Sequence, residues 1–280
     1  MFGTQGVLAH WFGSAGGQTT SLVGLRFIAG GVVFGGVAFA NRFRVPAPRE
    51  AIGAVLTGVA HVGFTTCLLL GFATSSVALT VLLFYTYPLY VTVGAAILYG
   101  EPLTKRRVAL VAVGTTGVAL AVGDPTGATP AGVLYGLGAG AGCTCVVLGN
   151  RALLRRGLTV PQIAATSYIV PGACFFVLIV FGAVPLPPTT VDAWAPASVY
   201  LASTLLGFFL FYTAVSRVGA STAALLATLE PLVGVLLAWM LIGEPLDPRQ
   251  IAGGALILAA VAALSLPEKR AAPAAAPVDH

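Results

Sequence analysis

The stretch LLATLEPLVGVLLAWMLIGEPLDPRQ, residues 225–250, carries a proline inside an apolar run and closes with Gly-Glu-Pro-Leu. Residues 82–107, LLFYTYPLYVTVGAAILYGEPLTKRR, have the same form. At an offset of 143 positions, residues 82–112 and 225–255 are identical at 13 of 31 positions. Two apolar segments share leucines by chance. A proline and a Gly-Glu-Pro-Leu at fixed spacing instead indicate a duplication.

The composition predicts a membrane protein. Of the 280 residues, 58% are hydrophobic and only 8% are charged, and the mean hydropathy is +0.95. A soluble domain carries about 25% charged residues, so this chain cannot cover itself with a water-facing surface. The net charge of +5 is therefore no indication of a nucleic-acid partner. The cysteines lie in apolar segments, where we expect reduced thiols: Cys67, Cys143, Cys145 and Cys174.

Nine apolar stretches are long enough, or nearly so, to cross a bilayer, for which about 20 residues are needed. They are residues 18–40, 51–72, 75–99, 105–122, 130–150, 160–184, 193–215, 218–242 and 249–266. A shorter fragment, residues 2–12, precedes them. The pattern predicts an all-α integral membrane protein.

The basic residues predict the orientation of these helices. Twelve of the 14 lysines and arginines fall on one side: Arg42, Arg44, Arg49, Lys105, Arg106, Arg107, Arg151, Arg155, Arg156, Arg217, Lys269 and Arg270. Only Arg249 falls on the other side, and Arg26 lies within a helix. The positive-inside rule makes the basic side cytoplasmic. The first Gly-Glu-Pro-Leu then lies inside and the second outside, so the halves are inverted.

We therefore expect an inverted five-plus-five helix repeat bundle, with residues 1–122 and 130–266 as the two repeats and residues 267–280 as a disordered cytoplasmic tail. The helix that opens the second repeat begins near Pro130, so its counterpart would begin roughly thirteen residues before Met1. We therefore expect the first helix to be truncated in this sequence, through a misplaced start or a shortened sequence. A natural nine-helix form is the alternative; it is disfavoured because a half-length helix leaves backbone groups unsatisfied in lipid.

The duplicated x-Pro-Leu helix, the Gly-Glu turn, the glycine-rich final helix and GLRFIAGGVVF at residues 24–34 resemble the EamA family of the drug/metabolite transporter superfamily. The resemblance implies a secondary transporter of small metabolites or drugs, amino acids among them, in the cytoplasmic membrane, and not an enzyme. Export by alternating access coupled to protons is the expected activity. A structural membrane subunit and a channel without coupled transport stay as alternatives.

The expected partners are a small-molecule substrate, the lipid bilayer and protons, with a homodimer as an open arrangement and no nucleic acid. We expect no cofactor and no metal. The sequence has no phosphate-cradling glycine loop, zinc-ligand spacing or nucleophile elbow, which argues against an ATP-driven pump or an enzyme of a soluble type.

Pro88 and Pro231 occupy matching positions in the two repeats. Each proline removes a backbone N–H and frees the carbonyl four residues earlier, at Phe84 and Ala227. Such interruptions point to the substrate path of a transporter. The two prolines either line that path and flex, or are packing kinks.

Glu230 is the only acid deep inside an apolar stretch, where a carboxylate costs at least about 2.5 kcal/mol. It must face the interior of the bundle. Its counterpart in the first repeat is Tyr87, so the duplication does not explain it. The carboxyl group either binds a cation or carries a proton, or it is a protonated group hydrogen-bonded to a neighbouring helix, since burial favours its neutral form.

Arg26, in the outer half of its helix, either attracts an anionic group or an acidic residue, or snorkels to the interface. His61 and His10 are candidates for a proton relay, with a structural role as the alternative. Aromatic residues that could form cavity walls, or simply pack, are Tyr85, Tyr87, Tyr90, Tyr168 and Trp239.

Glu101 and Glu244 end the two Gly-Glu turns. We expect each of them to play a structural role at the start of the following helix, where a carboxylate complements the positive end of the helix dipole.

The inverted topology makes a direct prediction. A single cysteine introduced as Asp247→Cys is expected to react with a membrane-impermeant thiol reagent from the outside only. Labelling of that position solely from the cytoplasmic side would contradict the inverted arrangement.

Overall fold

The computed structural model describes residues 2–41, 47–101, 103–122, 129–218 and 229–266. Every regular element within these ranges is helical, and six segments, one of them Val77–Tyr99, are long and apolar enough to span a membrane. The predicted fold class is thereby confirmed. The tail at 267–280 lies outside the described residues.

The helices follow the predicted spans closely. A 3-10 turn, Phe2–Thr4, leads into α1, and the helix Leu229–Leu237 continues as a π-helical turn, Ala238–Ile242. The bounds are α1 Gln5–Ser14, α2 Thr19–Ala40, α3 Pro48–Thr74, α4 Val77–Phe84, α5 Tyr87–Tyr99, α6 Lys105–Val122, α7 Pro130–Arg155, α8 Val160–Val180, α9 Val191–Val218, α10 Leu229–Leu237 and α11 Pro248–Ser265.

The predicted span over residues 75–99 is present as Val77–Tyr99, and its helix is interrupted at Tyr85 and Thr86, just before Pro88. Pro88 stands in the first turn of the new helix α5, where its missing N–H costs nothing. The Thr86 hydroxyl donates to the carbonyl of Leu83 at 2.6 Å, and the same carbonyl accepts from the backbone N–H of Thr86 at 3.2 Å. Tyr85 and Thr86 are both buried, as non-helical backbone at membrane depth must be.

The two halves are related by their packing as well as by their sequences. Helix α2 packs against its own counterpart α8, and α6 packs against its counterpart α11. Helix α3 packs on α7 as its counterpart α9 packs on α1. The turns also match, since Gly100 and Gly243 both adopt positive φ, 65° and 73°, where glycine is the favoured residue.

The arginine-rich ends of the helices meet on one face of the bundle. The guanidinium group of Arg106 donates to the carbonyl of Ala263 at 2.6 Å, which joins the start of α6 to the end of α11. Arg151, in the last turns of α7, pairs with Glu101 after α5. The second Gly-Glu turn lies on the opposite face, beside the start of α4. The structure thus places the two Gly-Glu turns on opposite faces, as the inverted arrangement requires.

The expected placement of Glu101 and Glu244 at the starts of the following helices is wrong. Helix α6 begins at Lys105 and α11 at Pro248, so both glutamates lie ahead of the cap position. Asp247 fills that position for α11, accepting from the N–H of Arg249 at 2.7 Å. The side chains of both glutamates instead contact other parts of the bundle.

The central contact between the two repeats depends on glycine. At Gly253 of α11, a Cβ atom would lie 2.5 Å from the carbonyl oxygen of Gly117 on α6 and 2.6 Å from the nitrogen of Ala121. The backbones of the two helices therefore touch directly, which is how small residues let membrane helices associate.

Gly253→Ala is accordingly expected to push α6 and α11 apart and to destabilise the protein by about 1–3 kcal/mol, the usual cost of overpacking. Thermal unfolding in detergent measures the loss. Gly36→Ala is the matched control, because no heavy atom of the described residues lies within 4 Å of its added Cβ. Equal unfolding temperatures for the two variants would contradict the tight crossing.

Candidate functional site

A cavity of about 240 Å³ lies at the centre of the bundle, between the two repeats. Helices α1 to α5 contribute walls from the first repeat, and α7, α8 and α10 contribute walls from the second. Most of the lining is apolar or aromatic. The residues that bring polar atoms or a thiol to it are Gln5, Arg26, His61, Tyr85, Tyr87, Cys143, Asn150, Ser167, Tyr168 and Glu230.

Glu230 lines this cavity from the first turn of α10. The hydroxyl of Tyr85, at the break between α4 and α5, donates to its carboxylate at 2.7 Å. The interruption of the first-repeat helix therefore brings a tyrosine to the acid of the second repeat. Tyr87, the counterpart of Glu230 in the repeat, lines the same cavity.

Arg26 is buried, with 4% of its surface exposed, so it does not snorkel to the membrane interface. One terminal nitrogen of its guanidinium group donates to the hydroxyl of Tyr200 on α9 at 3.1 Å. Its Nε atom has no hydrogen-bond partner among the described residues. The group keeps a free donor in the wall of the cavity.

His61 stands within an aromatic wall that runs along the cavity. Its ring meets that of Tyr168 edge-on at 5.0 Å and stacks on Phe64 at 5.7 Å. Phe64 stacks on Phe84 at 5.4 Å, and Phe84 stacks on Tyr87 at the same distance. This wall joins the His61 region to the Glu230 region. The Nδ1 atom of His61 has no hydrogen-bond partner in the described part of the chain.

Four predicted site residues thus share one cavity, and two do not line it. Glu230, Tyr87, Arg26 and His61 come together. Pro88 and Pro231 lie next to lining residues but outside the lining itself. Their role in transport stays a prediction, and Ala227, whose carbonyl Pro231 was expected to free, lies outside the described residues.

The other candidates divide in the same way. Tyr85 and Tyr168 line the cavity, whereas Tyr90 and His10 do not. Trp239 is 53% exposed on the outside of the bundle, where an aromatic side chain meets lipid.

Three polar lining residues escaped the sequence analysis. The side-chain oxygens of Asn150 and Ser167 are buried without a hydrogen-bond partner among the residues described. Gln5 donates from its side chain to Thr204 on α9 at 2.9 Å. Asn150 directly precedes Arg151 and resembles the polar end of a helix, while a single serine carries no pattern. Only the polar, glycine-rich character of the segment around Gln5 distinguishes it from its apolar surroundings.

The lining of the cavity offers groups that complement both signs of charge. It has a guanidinium group with a free donor, a carboxyl group, a histidine nitrogen, an amide and a hydroxyl, held by rigid helices. Buried polar atoms without partners are costly. Water or a polar ligand that enters the cavity would satisfy them.

The sequence model described as the EamA-like transporter family matches residues 1–123 and again residues 130–266. No match was found among curated proteins. A solved crystal structure superposes with a TM-score of 0.61 at 17% sequence identity, covering 95% of this chain and 94% of the other, and so shares its fold. With two family matches that together span the two repeats, this chain belongs to the EamA-like transporter family.

Proposed function

We propose that the protein is a secondary transporter that exports small metabolites across the cytoplasmic membrane by alternating access coupled to protons. Amino acids and related zwitterionic compounds are the favoured substrates. The observation that carries the proposal is that Arg26 and Glu230 line one cavity between the two repeats.

The charges support a zwitterionic substrate. Nε–H of Arg26 is available for a carboxylate, and the anionic form of Glu230 attracts an ammonium group. The aromatic rings between them offer faces to which a cation is also attracted. A substrate with only one charge would leave the other group of the pair without a counter-charge.

The size of the cavity favours small substrates. Drug-sized ligands occupy pockets of about 300–1,000 Å³, whereas this one measures about 240 Å³. An amino acid fits this space better than a large drug does. The aromatic walls suit an apolar side chain on that amino acid.

Glu230 is the residue best placed to couple protons to substrate. Its carboxyl group lies at membrane depth, within hydrogen-bond distance of Tyr85 and in the wall of the cavity that receives substrate. A carboxyl group there can bind a proton when the cavity faces one side and release it when the cavity faces the other. Substrate and proton would then compete for one group.

A structural subunit explains these features less well. Packing alone gives no reason to leave Arg26, His61 and Ser167 with unpartnered polar atoms around an open space. A channel would need polar groups repeated along a continuous path, whereas the polar atoms here are grouped in one cavity. A homodimer in the membrane is compatible with the proposal, which requires only one copy for each cavity.

Purified protein in liposomes tests the proposal. Accumulation of radiolabelled amino acids is measured with and without a pH gradient, for the parent protein and for Glu230→Gln. The glutamine keeps the size of the side chain but cannot ionise. We expect the variant to lose accumulation driven by the gradient, by at least about tenfold, while substrate exchange without a gradient persists.

Asp192→Asn is the matched control, because Asp192 is an exposed acid in the first turn of α9, away from the cavity. It is expected to transport like the parent. If Glu230→Gln accumulates substrate against its gradient as well as the parent does, Glu230 is not the coupling residue. If no amino acid or related zwitterion is moved by the parent, the substrate assignment is wrong.

The paired prolines provide a second prediction. If the helices flex at these points, Pro88→Ala and Pro231→Ala are expected to slow transport several-fold, because alanine lacks the fixed φ of proline. The Pro88 variant is expected to stay folded, since Pro88 stands in the first turn of α5, where no intrahelical hydrogen bond depends on it. Initial transport rates and thermal unfolding are measured together. Pro130→Ala serves as the control, because Pro130 also stands in the first turn of its helix but has no chain neighbour that lines the cavity. Unchanged transport rates in both test variants would show that the two prolines serve only in packing.

A further inference from the structure

We propose that Glu244 is a latch that closes the central cavity toward the face of the membrane that carries residues 243–247. The proposal rests on the alternating-access function proposed above. The latch holds the short helix α4, and α4 in turn supplies a residue that seals the cavity.

The seal is formed by three residues. Phe72 of α3 is the one residue shared, among those described, by the central cavity and a second hollow of about 420 Å³ on the outer side, next to α1 and α2. Val77, the first residue of α4, is 1% exposed and lies directly against Gly6 of α1. A Cβ atom on Gly6 would approach a methyl carbon of Val77 to 2.3 Å and the ring of Phe72 to 3.5 Å. Val77 and Phe72 therefore pack against Gly6, which itself lines the central cavity.

Glu244 holds this seal through the backbone. One carboxylate oxygen accepts from the N–H of Val77 at 2.8 Å, and the other accepts from the N–H of Ala78 at 3.1 Å. Both donors belong to the first turn of α4, which has no carbonyls of its own helix to pair with them. The negative charge also faces the positive end of the helix dipole. These two hydrogen bonds join residues that are 167 and 166 positions apart in the sequence.

The rest of the first turn is satisfied locally, which isolates the contribution of the latch. The hydroxyl of Ser76 accepts from the N–H of Leu79 at 3.1 Å, within the same segment. Among the described hydrogen bonds, those of Glu244 alone tie these backbone donors of α4 to the turn between α10 and α11. Breaking them removes this tie and leaves the cap of α4 in place.

The same segment of the second repeat contacts α4 at both ends. Glu244 binds the first turn of α4, and Glu230 accepts from Tyr85 just beyond its last residue. Helix α4 is only eight residues long and is separated from α5 by the break. It can therefore move as one unit, separately from α5. Binding of a proton or substrate at Glu230 changes the contact at the C-terminal end of α4, and the seal at Val77 lies at its N-terminal end.

Opening of the seal is measured at Cys143, a native thiol that lines the central cavity. In a background with Cys67, Cys145 and Cys174 replaced by alanine, the protein is placed in liposomes. A membrane-impermeant methanethiosulfonate reagent is then added from either side. We expect Glu244→Ala to react at Cys143, from the face that carries residues 243–247, at least about tenfold faster than the parent.

Asp247→Ala is the matched control. Asp247 is an acid of the same turn, but it caps α11 and makes no contact with α4 among the described hydrogen bonds. It is expected to label at the parent rate. Equal rates for Glu244→Ala and the parent would overturn the proposal, and so would an equal acceleration in Asp247→Ala.

Glu244→Gln supplies the result if the alanine variant does not fold. It keeps the length of the side chain and one carbonyl acceptor, but it loses the second acceptor and the negative charge. Its labelling rate is therefore expected to lie above that of the parent. A rate equal to the parent's would overturn the proposal. Because labelling requires neither substrate nor a pH gradient, a failure of the coupling role of Glu230 would not by itself change this result.

Discussion

The structure depends on one constraint, that a polar group inside the bilayer must find its partner within the protein. Hydroxyl side chains satisfy it locally, by donating to the carbonyl one helical turn earlier, as in Thr92 to Pro88 and Thr166 to Gln162. The break before α5 satisfies it in the same way, through Thr86. The constraint thus permits an interruption in a spanning helix only where side chains or another helix can repair it.

The cavity is the place where this rule is relaxed. Among the described residues, the buried side-chain atoms without partners include Nε of Arg26, Nδ1 of His61, Oδ1 of Asn150 and Oγ of Ser167, and all four residues line it. Away from the cavity, the hydroxyl of Tyr99 donates to the carbonyl of Leu148 on another helix. The bundle contains few polar residues, so we expect those that it leaves unpaired to have a role. Their shared location supports the binding of a polar molecule as that role.

The sequence predicted those features of the architecture that depend on a single unusual residue. A deep acid, an arginine within a span and a duplicated proline are visible because lipid makes each of them costly. Asn150 and the partner of Glu244 were not visible. In a soluble helix the polar face shows which side is buried, but here the lipid-facing side is as apolar as the core, so periodicity does not reveal which helices pack together. The contact from Glu244 to Val77 joins distant segments and needed the packed bundle to be seen.

The duplication also shows where the halves have diverged. Glu101 and Glu244 occupy the same position in the two turns, yet Glu244 accepts from backbone N–H groups and Glu101 pairs with the guanidinium groups of Arg151 and Arg107. The hydrogen bond from Arg151 is the largest influence that holds the pKa of Glu101 below its usual range. The two Gly-Glu turns are therefore held by different groups, one by backbone N–H groups and the other by guanidinium groups.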